Sequence, residues 1–86
     1  MRRYNHEGIF YLQLEATAMW KNWRLTEPAH AGRVPPVLLL GVREWLQQHP
    51  TVKYYVDPIS RMPTFSFPSK ALETEFMAQY LPQGMR

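Results

Sequence analysis

At 86 residues the chain has room for one domain and one modest core, which excludes a deep cleft between two domains. It has no cysteine and so can build neither a disulfide framework nor a thiolate metal site, while 45% hydrophobic and 14% aromatic residues exclude intrinsic disorder. Ten Lys and Arg against seven Asp and Glu leave a net charge of +3, a mild bias toward acidic partners.

Residues 1–8 carry a basic pair, Arg2-Arg3, but none of the apolar length of a secretory signal, and they read as a frayed start. From Ile9 to Glu15, Phe10, Leu12 and Leu14 alternate with Tyr11, Gln13 and Glu15, the pattern of a half-buried strand. Ala16, Met19, Trp20 and Trp23 then follow at helical spacing, although Thr17, Trp20 and Trp23 also suit a strand; helix is the reading adopted for 16–25.

Between Thr26 and Pro36, three prolines and a glycine deny the chain regular structure and predict an irregular connection. Pro36 suits the first turn of a helix, and Leu38, Val42, Trp45 and His49 recur at near-helical intervals, with Leu39 and Leu46 widening the stripe until Pro50. The longest apolar run, Val37 to Leu40, is far short of the roughly 18–20 residues that cross a bilayer, so a soluble cytoplasmic protein is expected.

Val52, Tyr54 and Val56 alternate with Lys53, Tyr55 and Asp57, a strand that gives way to a proline-bounded turn before Phe65 and Phe67 resume the alternation. Ser69 opens a last helix in which Leu72, Phe76 and Tyr80 recur every four residues, and residues 82–86 read as a frayed tail. The whole chain, 1–86, is read as a single α+β domain: a small antiparallel three-stranded sheet with two or three helices on one face, which gives each apolar stripe a partner.

Site chemistry is sparse. His6, His30 and His49 lie in three different elements with no ligand spacing, no nucleophile motif surrounds Ser60, Ser66 or Ser69, and the four glycines are scattered. Glu73 and Glu75 are two apart on a helix, point in different directions, and read as solvated charges. No enzyme, metal or cofactor is expected.

Two clusters suit binding. Met19-Trp20-Lys21-Asn22-Trp23-Arg24 sets two tryptophans beside two cations, and its first reading is packing, with Trp20 buried and Trp23 partly exposed. The turn holding Ile59, Arg61 and Met62 has few local apolar partners and suits contact with another protein. The outer strand face with Lys53, Tyr55 and Asp57 reads first as plain solvated sheet.

A phenylalanine-rich strand, Phe65-Ser66-Phe67, runs through Pro68 and Ser69 straight into a helix carrying Phe76, after a Tyr54-Tyr55-Val56 strand. This ending resembles small accessory proteins of tailed bacteriophages. The resemblance implies binding to a bacterial host or defence protein, which the protein would modulate or inhibit. The residues themselves suggest Trp20, Trp23 and Arg24 together with the turn at Ile59, Arg61 and Met62 as the contact surface. The alternative is a nucleic-acid-binding protein in which Arg2, Arg3, Lys21, Arg24, Arg33 and Lys53 meet phosphates while Trp or Tyr rings stack on bases. A homodimer through a free sheet edge or the Val37–Leu46 helix is a further option for so small a core.

Overall fold

The computed structural model describes residues 2–14, 25–27 and 37–81. Strands β1 (Arg2–His6), β2 (Ile9–Gln13), β3 (Lys53–Val56) and β4 (Pro63–Phe67) form an antiparallel sheet in the order β1-β2-β4-β3. Two helices are described, α1 (Leu40–Gln48) and α2 (Lys70–Tyr80). The α+β class and antiparallel sheet are as the sequence predicts, but the sheet has four strands and not three.

The extra strand is the start of the chain. Glu7 and Gly8 take φ of 52° and 80°, so both central residues of a two-residue turn are left-handed, the geometry that matches the twist of a hairpin. The turn sets His6 opposite Ile9 and carries the ladder to Arg2 opposite Gln13. β1 presents no apolar alternation, since only Tyr4 is even half-buried, and the turn does with backbone geometry what hydrophobic pattern does elsewhere.

Register assigns the two faces of the sheet, because directly paired residues point the same way. Phe10, Leu12, Phe65, Phe67 and Tyr54 share the inner face, where Leu12, Phe65 and Phe67 are fully buried. The helices complete this core. Phe76 of α2 lies within 4.8 Å of Phe65, 5.5 Å of Phe67 and 5.3 Å of Trp45 between ring centroids, so one aromatic side chain joins the sheet to both helices.

Helix α2 begins where expected: Ser69 is extended and its hydroxyl accepts from the Leu72 N–H at 3.3 Å, satisfying one free donor of the first turn. Leu72, Phe76 and Tyr80 face inward, as their spacing predicts. Helix α1 begins later than Pro36. Leu38 is committed to an antiparallel bridge with Thr26, flanked by Glu27 N–H to Val37 O at 2.8 Å and Leu39 N–H to Leu25 O at 2.9 Å, so helical geometry starts only at Leu40. That bridge ties together the two ends of the proline-rich connection.

Val42 and Trp45 are buried as predicted, and Leu39 and Leu46 pack against the core, which leaves Leu40 as the exposed large apolar residue of this stretch. His49 closes α1; its ring stacks on Trp45 at 4.0 Å and its Nδ1–H donates to the Trp45 carbonyl at 2.8 Å. No helix among the described residues is long and apolar enough to cross a membrane.

Glu73 departs from expectation. It is buried against the sheet, where Arg3 Nη2 donates to its Oε1 at 2.7 Å. The pairing follows from the unforeseen strand: β1 places Arg3 opposite Leu12, on the inner face, within reach of α2.

Candidate binding face of the sheet

Pleating sends the side chains that are not in the core to the other side of the sheet. Two rows of directly paired residues cross that outer face. One runs Tyr4, Tyr11, Ser66, Lys53 and the next Arg2, Gln13, Thr64, Tyr55, each taking one residue from β1, β2, β4 and β3 in turn. Among the described residues both helices pack on the opposite face.

Tyr4 and Tyr11 are a cross-strand stacked pair, with centroids 4.8 Å apart and planes 14° from parallel. The Arg2 guanidinium lies over the Tyr4 ring at 5.0 Å, within cation–π range. Tyr55 is 38% exposed. Its phenol is raised above the ordinary range by burial first, and then by the like-charged groups Tyr11, Tyr4 and Asp57.

Lys53 is exposed on β3, and its ammonium donates to the Pro50 carbonyl at 2.9 Å. The face therefore carries rings on β1, β2 and β3, hydroxyls on β4, and a cation on each edge strand.

One end of this face is closed by polar contacts. Gln13 and Thr64 are buried; Gln13 Nε2 donates to Asp57 Oδ2 at 2.8 Å and to Thr64 Oγ1 at 3.3 Å, and the Thr64 hydroxyl donates to the Met62 carbonyl at 2.9 Å. Asp57 Oδ1 also accepts from the Ile59 N–H at 2.8 Å. That backbone bond is the main reason its carboxyl titrates below the usual carboxylate range. These bonds lash the β3–β4 turn to the sheet, and Ile59 stands at its tip, 93% exposed, beside an exposed Arg61 held at φ 63°. Met62 is half-buried at the foot of the turn.

Of the residues proposed to meet nucleic acid, Arg2 and Lys53 share the outer face, whereas Arg3 is turned away to Glu73 and cannot reach phosphate there without breaking that pair. Ile59 and Arg61 are exposed as a turn contact requires. Trp20, Lys21, Trp23, Arg24 and Arg33 lie outside the described residues. Sequence reasoning missed Tyr4 and gave Tyr11 no role. The available signal was Tyr11 standing out of phase with Phe10 and Leu12, combined with a hairpin register that sets Tyr4 opposite it.

Among the described residues no group of three or more His, Asp or Glu is placed to hold a metal ion. A cavity of about 200 Å³ beside β1 and the start of α2 is lined by Arg3, Tyr4, Asn5, Phe10, Lys70 and Glu73, with its acid and one of its bases already paired. Comparison of the chain with protein-family models, curated proteins and solved structures finds no match. The resemblance of the C-terminal strand and helix to phage accessory proteins rests on their sequence pattern alone.

Proposed function

We propose that this chain is a non-catalytic binding protein whose outer sheet face takes single-stranded nucleic acid. The observation that carries the reading is the placement of Arg2, Tyr4, Tyr11 and Lys53 on one face opposite the helices. Single strands expose the flat faces of their bases, which tyrosines can stack on, and their backbones offer phosphates to flanking cations. A duplex hides those base faces, so duplex binds less tightly.

Titration of labelled single- and double-stranded DNA and RNA by fluorescence anisotropy tests this. Single strands are expected to bind with an affinity that falls as salt rises, and Arg2→Ala and Lys53→Ala each to reduce the salt slope by about 0.7. Binding no tighter than that of an unrelated protein of equal charge would sink the reading.

A second reading, stoichiometric binding to a bacterial protein, is favoured by Ile59 at the turn tip, because an apolar side chain 93% exposed on a hydrogen-bonded turn is a ready anchor. It expects a protein enriched from bacterial lysate by the wild type and lost with Ile59→Asp. No enrichment across several host lysates would count against it.

A further inference from the structure

Across the outer row the side chains read ring, ring, hydroxymethyl, ammonium: Tyr4, Tyr11, Ser66 and Lys53, one on each successive strand. Strands lie roughly 4.8 Å apart. The Tyr4–Tyr11 centroid distance of 4.8 Å has the same value, so these two rings stand one per strand, each in its own lane. Ser66 occupies the next lane with a side chain too short to fill it.

Tyr11 makes its ring contact with Tyr4, and among the described residues no ring stacks on its Ser66 side. A ring placed above Ser66 would sit about 4.8 Å from Tyr11, inside the roughly 4.5–7 Å range of favourable aromatic pairs. On its far side, one further lane away, is Lys53, whose ammonium, on exchanging its exposed bond to the Pro50 carbonyl, would meet the ring face or an adjoining phosphate. Tyr55, on the neighbouring row, flanks the lane.

We infer that the Ser66 lane is a stacking slot for one unpaired nucleobase, clasped between the Tyr11 ring and Lys53. This rests on the nucleic-acid reading above and sharpens it, because it assigns one base of the strand to one place on the sheet. The bound base extends the Tyr4–Tyr11 stack by one ring, and the strand's phosphates fall toward Arg2 and Lys53 on the flanking strands.

The probe is a short oligothymidylate carrying one central 2-aminopurine, whose fluorescence drops when it stacks. Wild type and Ser66→Ala, which keeps the lane open, are expected to quench it. Ser66→Leu, which fills the lane from a half-buried outer position, is expected to abolish the quench and weaken binding about tenfold, with an unchanged thermal midpoint. Equal binding and equal quenching by Ser66→Leu would overturn the slot. So would salt-dependent binding by all three proteins with 2-aminopurine left bright, a result under which the phosphate contacts of the broader reading would stand. Absence of any binding by the wild type would instead remove the broader reading, and the slot with it.

Discussion

The two faces of this sheet are built from the same four strands yet obey different rules. On the inner face Leu12, Phe65 and Phe67 lose all contact with solvent and meet Phe76, Trp45 and Met77 from the helices. On the outer face Tyr4, Tyr11 and Tyr55 keep part of their surface in water, Tyr4 and Tyr11 stack on each other, and Arg2 lies over Tyr4. Aromatic content alone does not separate the core from the outer face. The partner does: apolar side chains from the helices on one side, a ring of the next strand and a cation on the other.

The sharpest way to break this contrast is to truncate one ring from each side. Phe76→Ala should cost about 3–5 kcal/mol, because it removes the ring shared by sheet and helices and leaves a cavity. Tyr11→Ala should cost about 1 kcal/mol, the scale of a cross-strand pair. Chemical denaturation of both variants checks this, and similar losses would mean that the outer face is also core.

A smaller difference separates the adjacent arginines of β1. Arg3→Ala leaves the Glu73 carboxylate buried without its cation and should cost about 2 kcal/mol. Arg2→Ala removes an exposed contact and should cost less than about 0.5 kcal/mol while weakening nucleic-acid binding. Equal stability losses from urea melts would contradict the assignment of faces.

Neighbouring tyrosines of β3 give a pH test. Tyr54, on the inner face, has its phenol pushed up to about 12 by burial, whereas an unfolded phenol ionises near 10. The unfolded chain therefore releases this proton first. The stabilisation that Tyr54 contributes is complete below pH 10 and is lost as pH rises toward 12. Tyr54→Phe should flatten the fall in thermal midpoint over that window, and more than Tyr55→Phe does, since the outer phenol is raised less.

A modest effect of opposite sign lies away from both faces. Gly41 is in the first turn of α1 and a Cβ there would meet nothing within 4 Å, so Gly41→Ala should raise stability by about 0.5–1 kcal/mol through helix propensity. A loss in thermal melts would point to an unrecognised close approach.

Much of the inner face was legible from sequence because alternation at Phe10-Leu12-Leu14 and at Phe65-Phe67, and four-residue recurrence at Leu72-Phe76-Tyr80, are local records of burial. The Ser69 cap was legible from its residue type, a hydroxyl able to accept from a free N–H of the first turn. β1 was not, since Arg2-Arg3-Tyr4-Asn5-His6 is polar on both sides and its strand geometry is imposed by the Glu7-Gly8 turn. Once β1 is missed, Glu73 has no visible partner and reads as solvated. The outer row was hidden more deeply: Tyr4, Tyr11, Ser66 and Lys53 become neighbours only through three pairings, one of which joins strands that lie far apart in the sequence.

That distant pairing has a kinetic consequence. β1–β2 and β3–β4 are each closed by a short turn and can form in about 1–10 μs. The β2–β4 seam joins Gln13 to Thr64, 51 positions away, and its closure costs about 2 kcal/mol more in chain entropy than a tight turn. The hairpins should therefore assemble first and dock along the seam in the slow step. Leu12→Ala, in the seam, is then expected to slow folding, whereas substitutions at the outer edge of β1 chiefly hasten unfolding. A strand of nucleic acid lying from Tyr4 to Lys53 would cross this seam and hold the two hairpins together as a clasp.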